Sequence, residues 1–246
     1  METTHDTHQP GSRTAICTVC REPFTYTPLL FEGREVFTRH ACPDCSTAAA
    51  EAQRVAEQAA RAAEAARLRA LEWQRVCPPL YRESDPARLP QEPLRRVLAW
   101  TRGPRGLILF GDSGQGKTRS AYLRLRPLVD AGVRCEAIHA VAFGDEIATR
   151  FSRFEGTAWL KRYERAEVLL FDDLGKEPAT ERVQTELFGL VERRTAQFRP
   201  IIVTTQLAPD ELAERYTGHV ADALIRRLRE FCEPVQFPLS KTTLGI

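Results

Sequence analysis

Nowhere in these 246 residues do about 18 apolar residues run together, so no segment is predicted to cross a bilayer as a helix. The N-terminus METTHDTHQP lacks both the basic and the apolar regions of a secretory signal. Charge of one sign is scarce: 35 basic against 33 acidic side chains leave a formal net charge of +2. That excess is too small to imply a nucleic-acid partner by itself, because such binding depends on where charges cluster. No internal repeat is recognisable. These absences place the chain among soluble proteins and, as an expectation, in the cytoplasm. What remains is ample for folding, with 43% apolar and 28% charged residues, and the length suits one full-sized core plus a small accessory module.

Seven cysteines without a secretion signal argue against a disulfide framework and toward reduced thiols, some of them metal ligands. Cys77, Cys135 and Cys232 are scattered and read as small buried apolar residues. Cys17-x-x-Cys20 and Cys42-x-x-Cys45 instead form two knuckles. Four thiolates in so short a segment fit one tetrahedral Zn²⁺, which supplies folding energy that the segment's own core cannot. His5 and His40 are the alternative ligands, and redox chemistry explains two pairs less well than a closed structural site does.

Four segments follow from composition. Residues 1–13 are polar and read as a disordered tail, and residues 14–46 as the four-cysteine zinc module with short β-prone stretches. Residues 47–76 are rich in Ala, Arg and Glu, with opposite charges three or four apart, and predict a solvated helix acting as a spacer. That helix should stop at Cys77-Pro78-Pro79, where proline restricts its predecessor and donates no hydrogen bond. Residues 77–246 form the main domain, opening with a connector that carries one short helix around Leu94 to Thr101. Beyond Gly106, apolar runs (LILF, RCEAIHA, VLLF, PIIVTT, PVQF) alternate with helical segments, which predicts an α/β fold with a parallel sheet flanked by helices.

One motif carries chemistry at once. Gly111, Asp112, Ser113, Gly114, Gln115, Gly116, Lys117 and Thr118 match G-x-x-x-x-G-K-[ST] in full, between a predicted strand and a predicted helix. The glycines let successive N–H groups turn toward phosphate oxygens, and the helix N-terminus adds partial positive charge. Lys117 is expected to reach the β- and γ-phosphates of ATP, and the Thr118 hydroxyl to sit on Mg²⁺. A second apolar run ends in Asp172 and Asp173. Asp172 is expected at the Mg²⁺ water shell, and Asp173 to orient or deprotonate the attacking water, a cap for the next helix being the structural alternative. Thr204, Thr205 and Gln206 end a third strand with polar groups that could hold the attacking water.

GDSGQGKT, LLFDDLGK, IIVTTQ and ADALIRRLREF together resemble the AAA+ ATPases of the DnaC/IstB type, bacterial and phage helicase loaders and transposition helpers, over about Cys77 to Phe237. The resemblance implies a water-activating role for Asp173, a γ-phosphate sensor at Gln206, where asparagine is more usual, and an arginine supplied to a neighbouring subunit's ATP. Arg227 stands at the matching place, with Arg226 and Arg229 as rivals. It also implies a homo-oligomer on ATP binding. The chain ends soon after the last strand, so no helical lid is expected and no lid arginine is assigned.

The function implied is an ATP-dependent loader that binds single-stranded DNA and a replicative helicase. Between Phe143 and Arg165, the residues Arg150, Arg153, Lys161, Arg162 and Arg165 are interleaved with Phe151, Phe154, Trp159 and Tyr163, a pattern suited to phosphate neutralisation and base stacking unless the aromatics are core. Two other readings stay open: an IstB-like transposition helper acting on duplex DNA, and a nucleotide-gated zinc adaptor with negligible hydrolysis.

Overall fold

Each apolar run that alternates with an amphipathic helix becomes a strand of one sheet, because parallel neighbours need helical crossovers and both faces of such a sheet must be covered. A computed structural model of the protein describes residues 11–31, 34–153, 156, 158–216 and 219–238. The tail expected at 1–13 lies outside them apart from its last three residues. Two compact units are present, residues 1–65 and 66–246.

In the first unit, β1 (Arg13–Ile16) pairs antiparallel with β2 (Pro23–Tyr26), and β3 (Leu29–Phe31) with β4 (Arg34–Phe37). Helix α1 (Pro43–Val76) begins shortly before the Ala-rich stretch expected to form it. Pro43 is at home in a first helical turn, where its missing donor would have no partner, and Asp44 complements the positive helix end. The helix ends at Val76, ahead of the two prolines.

The second unit continues through α2 (Pro79–Arg82) and α3 (Gln91–Ala99) into β5 (Gly106–Phe110), α4 (Lys117–Asp130), β6 (Cys135–His139) and α5 (Ala140–Ser152). There follow α6 (Lys161–Arg165), β7 (Val168–Leu174), α7 (Glu181–Thr195), β8 (Ile201–Thr205), α8 (Pro209–Arg215), α9 (His219–Phe231) and β9 (Cys232–Gln236). The strands lie in the order β6-β7-β8-β5-β9, and every neighbouring pair is parallel. Side chains alternate strictly between two cores. Leu107, Leu109, Leu170 and Ile202 face one core, with α3 and α4, whereas Ile108, Leu169, Phe171 and Val203 face the other, with α5, α7 and α9. The order leaves β5, which opens the P-loop, between β8 and β9, and brings the ends of β7 and β8 side by side. Cys77, Cys135 and Cys232 are buried, and burial pushes their thiols up, Cys77 to about 11 and the other two to about 12.

Arg194, near the end of α7, has no exposed surface. Its guanidinium donates to the carbonyls of Tyr163, of Ala166 at 2.9 Å and of Pro200 at 2.8 Å, so one side chain ties α6 and the entries to β7 and β8 together. Among the described residues no carboxylate lies against it, and burial lowers its pKa to about 9. We predict that Arg194→Ala, which strands several buried carbonyls and opens a cavity, costs about 3–5 kcal/mol in denaturant unfolding. Arg194→Lys should fail to restore it, because an ammonium cannot span carbonyls set for a planar fork. A lysine variant of parental stability would contradict this account.

Candidate active site

The first wall of the site is the turn that carries β5 into α4. Gly111, Gly114 and Gly116 all take left-handed backbone angles, with φ of 139°, 77° and 87°. A side chain at Gly111 would also collide with the Phe237 carbonyl oxygen, 2.7 Å from the added carbon, so glycine is required there twice over. Lys117 opens α4 and is 5% exposed. Its ammonium donates to the carbonyls of Gly111 and Asp112, both at 2.6 Å. Burial lowers its pKa, against the opposing pull of Asp173 and Asp112.

The second wall is the end of β7. Asp172 is 6% exposed, and one oxygen, Oδ1, accepts from Thr118 Oγ1 at 2.8 Å and from Thr204 Oγ1 at 2.6 Å. Burial raises its pKa while the two hydroxyls hold it down. Between Phe171 and Leu174 the β7–β8 register slips, and Asp173 sits there at φ 60°. Left-handed backbone in a non-glycine residue is strained, and aspartate tolerates it better than most. The Asp173 N–H donates to Thr204 Oγ1 at 2.8 Å, which holds the kink. Its Oδ2 meets Lys176 Nζ at 2.8 Å and His139 Nε2 at 3.3 Å. Because His139 Nδ1 accepts from the Val141 N–H at 3.2 Å, the neutral ring carries its proton on Nε2 and donates to Asp173.

Between these walls lies an open cleft of about 500 Å³, lined by Ser113, Lys117, Thr118, Asp173 and Gln206 among others. Its far side is the connector before α3, where Tyr81, Asp85 and Leu89 face it. Tyr81 stacks on Tyr122 with ring centroids 5.2 Å apart, and the Arg119 guanidinium lies 5.7 Å over it. Thr204 and Thr205 do not line the cleft: both are fully buried, Thr204 on the two aspartates and Thr205 on the Leu174 carbonyl at 2.7 Å. The expectation that these hydroxyls hold water therefore fails at both, since each is already spent on β7. Gln206 alone of that segment reaches the cleft.

The sequence profile of the IstB-like ATP binding proteins matches residues 49–239. The chain belongs to this family. Its P-loop is that of an ATP-binding protein. Among curated relatives, the chromosomal replication initiator protein DnaA of Bordetella petrii is 31% identical over 109 residues, 44% of this chain and 23% of that protein. The replicative helicase loader DnaI of Bacillus subtilis is 27% identical over 114 residues, 46% of this chain and 37% of that protein. The chain thus spans well under half of either. A structure of replication initiator DnaA bound to AMPPCP and single-stranded DNA has the same fold, with a TM-score of 0.53 at 20% identity over 67% of this chain and 52% of that one.

Membership of the IstB-like family implies nucleotide and Mg²⁺ binding, and the residues present fit both. Thr118 Oγ1 and the Asp172 carboxylate form the hard oxygen set that Mg²⁺ prefers, and Mg²⁺ held there would neutralise phosphate charge. The helix on which the arginine was expected is α9. Arg227 is only 28% exposed and gives both Nε and Nη2 to Glu192, at 2.7 and 2.9 Å, and Nη1 to Glu230 at 3.2 Å. Arg229 pairs with Asp210 at 3.2 Å, whereas Arg226 is exposed and makes no hydrogen bond or ion pair among the described residues. Of the aromatic residues between Phe143 and Arg165, Phe143 and Tyr163 are buried core rings, and Trp159 packs on both at 5.9 and 5.8 Å. Base stacking on Tyr163 is therefore unavailable, while Trp159 is only partly buried. Lys161, Arg162 and Arg165 are exposed, and the side chains of Phe151 and Phe154 lie outside the described residues.

In the first unit, the sulfurs of Cys17, Cys20, Cys42 and Cys45 lie within 4.8 Å of one another, a cluster able to hold a metal ion. Left-handed Arg21, at φ 65°, turns the first knuckle, and the start of α1 forms the second. The Cys42 N–H donates to Cys17 Sγ at 3.3 Å, and that donor is the largest cause lowering the Cys17 pKa to about 6. His40 contributes its carbonyl, which accepts from the Thr18 N–H and hydroxyl, both at 2.9 Å.

Asp172 yields a prediction with a definite sign. Its folded pKa lies above its unfolded value, so the native state gains protons first: the cost of its charge is present above the folded pKa and is lost as pH falls through it. In metal-free buffer Asp172→Asn should raise Tm at pH 7 by about 2–4 °C, and the gain should vanish in acid. The same variant should lose Mg²⁺-dependent hydrolysis. A lower Tm at pH 7 would contradict the burial cost assigned to this carboxylate.

Proposed function

We propose that the protein is an ATP-dependent loader acting in the cytoplasm, which binds single-stranded DNA and delivers a replicative helicase. The observation that carries this reading is the cleft itself: a buried lysine, a buried magnesium-type carboxylate and a strained second carboxylate converge at the ends of parallel strands of one sheet. The loader role leans on likeness to DnaI, and single-strand binding on likeness to DnaA. In the working cycle the P-loop, Gly111 to Thr118, holds the phosphates. Asp173 orients the attacking water and accepts its proton, and Gln206 senses the γ-phosphate. The ATPase domain covers residues 77–246, and α1 from residue 47 to 76 is a spacer.

Subunits assemble on ATP, with an arginine of α9 completing the neighbour's site. Arg227 occupies the expected place but must first surrender Glu192, whereas Arg226 is free to act. If either acts in trans, hydrolysis per chain rises with protein concentration while ATP binding does not. The acting residue, changed to alanine, should lose at least about 100-fold in rate at unchanged ATP affinity, and mixing with Asp173→Asn protein should restore activity. Constant hydrolysis on dilution, with no rescue on mixing, would refute assembly of a shared site.

DNA contacts fall to Lys161, Arg162 and Arg165, which meet phosphates without a stacking partner from the buried Tyr163. With ATP present, single strands should bind more tightly than duplex. Replacing the three residues by alanine should flatten the slope of log affinity against log salt by about 2. The family's description as IstB-like favours a second reading, a transposition helper, and tighter duplex binding would select it. Steady-state hydrolysis that is negligible with and without DNA would instead select a nucleotide-gated adaptor.

The four thiolates of residues 14–46 hold one structural Zn²⁺. The spacing of Cys20 and Cys42 sulfurs, 3.8 Å, equals the edge of a tetrahedron with Zn–S bonds of about 2.3 Å. Protein purified under reducing conditions should carry one zinc per chain, and chelation should unfold this module while the ATPase domain keeps its melting transition. Metal analysis far below one per chain would end the proposal.

A further inference from the structure

Lys176 has no role in the motifs that define the nucleotide site, yet it stands inside the cleft with Lys117 and Asp173. Its main chain is pinned from every side. The Thr205 hydroxyl donates to the Leu174 carbonyl at 2.7 Å, and the Gly175 N–H to Glu177 Oε2 at 2.9 Å. Arg215 donates to the carbonyls of Gly175 and Glu177 at 3.1 and 2.8 Å, and the Tyr216 hydroxyl donates to the buried Glu177 carboxylate. The turn under Lys176 is therefore fixed, and only the side chain, 44% exposed, is left to swing. Its ammonium rests at 2.8 Å on Asp173 Oδ2, an oxygen of the residue proposed to activate water.

We propose that Lys176 reads the γ-phosphate, leaving Asp173 for the nucleotide when ATP enters and staying on Asp173 when ADP does. This rests on the nucleotide reading of the cleft. Two anions compete for one ammonium held on a short tether. ADP lacks the group that ATP would bring nearest to Asp173, so only ATP supplies a rival strong enough to draw the ammonium away. The exchange serves two ends. It offsets the repulsion between the Asp173 carboxylate and the γ-phosphate, and it uncovers Oδ2 in the one state that has a bond to hydrolyse. While the pair is closed, His139 and Lys176 both sit on that oxygen. Lys117 cannot replace Lys176 in uncovering Oδ2, because its ammonium rests on two carbonyls of the P-loop and not on Asp173.

The test is titration of the intact protein with Mg²⁺ and either ADP or a non-hydrolysable ATP analogue. Lys176→Met should weaken the analogue about tenfold and leave ADP within about twofold, while Lys176→Arg keeps the parental ratio. Asp173→Asn, which frees the ammonium beforehand, should tighten the analogue several-fold without affecting ADP. Equal losses for both nucleotides in Lys176→Met, no loss for either, or an Asp173→Asn protein with unchanged analogue affinity would overturn the exchange. Failure of the parental protein to bind either nucleotide would instead overturn the nucleotide reading beneath it.

Discussion

A single carboxylate oxygen organises this site. Asp172 Oδ1 accepts hydroxyls from Thr118 and Thr204, so the first turn of α4, the end of β7 and the end of β8 are fixed to one point. A buried ionised carboxylate without partners would cost several kcal/mol, and hydrogen bonds to a charged group contribute about 1.5–3 kcal/mol each. The two threonines thus turn an unaffordable charge into a tolerable one. Thr204 has a second duty, accepting from the Asp173 N–H, and so the left-handed kink that aims Asp173 at the cleft depends on the same residue.

The sheet exists in the form that makes this convergence possible. With the order β6-β7-β8-β5-β9, β8 lies between the strand that opens the P-loop and the strand that ends in the aspartates. Strict alternation of side chains between two cores keeps each strand in register. Far from the cleft, Arg194 closes the opposite side by tying α6 to the entries of β7 and β8. Strain is gathered at one end of the sheet, and Arg194 holds the other.

What could be read in advance was local. The P-loop and the paired aspartates are contiguous, and their chemistry depends on backbone turns that the glycines and the apolar runs themselves announce. Strands and helices of the main unit were legible for the same reason, and α1 differs at its start, where Pro43 and Asp44 favour a helix end, and at its close, where Trp73 and Val76 are buried rather than solvated. Contacts across the fold were not legible. Lys176 lay in the quoted segment LLFDDLGK, but nothing in the string says that its ammonium returns to Asp173. His139 ends a strand whose register with Asp172 appears only once β6 and β7 are paired. Arg194 reads as a solvated basic residue in a last helical turn and is wholly buried. Tyr163 alternates with basic residues in the chain, yet its ring turns inward, since apolar faces of short helices seek the sheet before they seek a ligand. Tyr81 and Leu89 looked like parts of a connector and form a wall of the cleft.

The central claim is that Lys117, held now by two backbone carbonyls, is the cation around which ATP phosphates are bound. Calorimetric titration of Mg²⁺ and ATP into the parental protein and a Lys117→Ala variant of unchanged melting temperature tests it directly. Saturable binding to the parent, with affinity at least about 100-fold lower in the variant, is the result predicted. Equal affinity for the two proteins would contradict it.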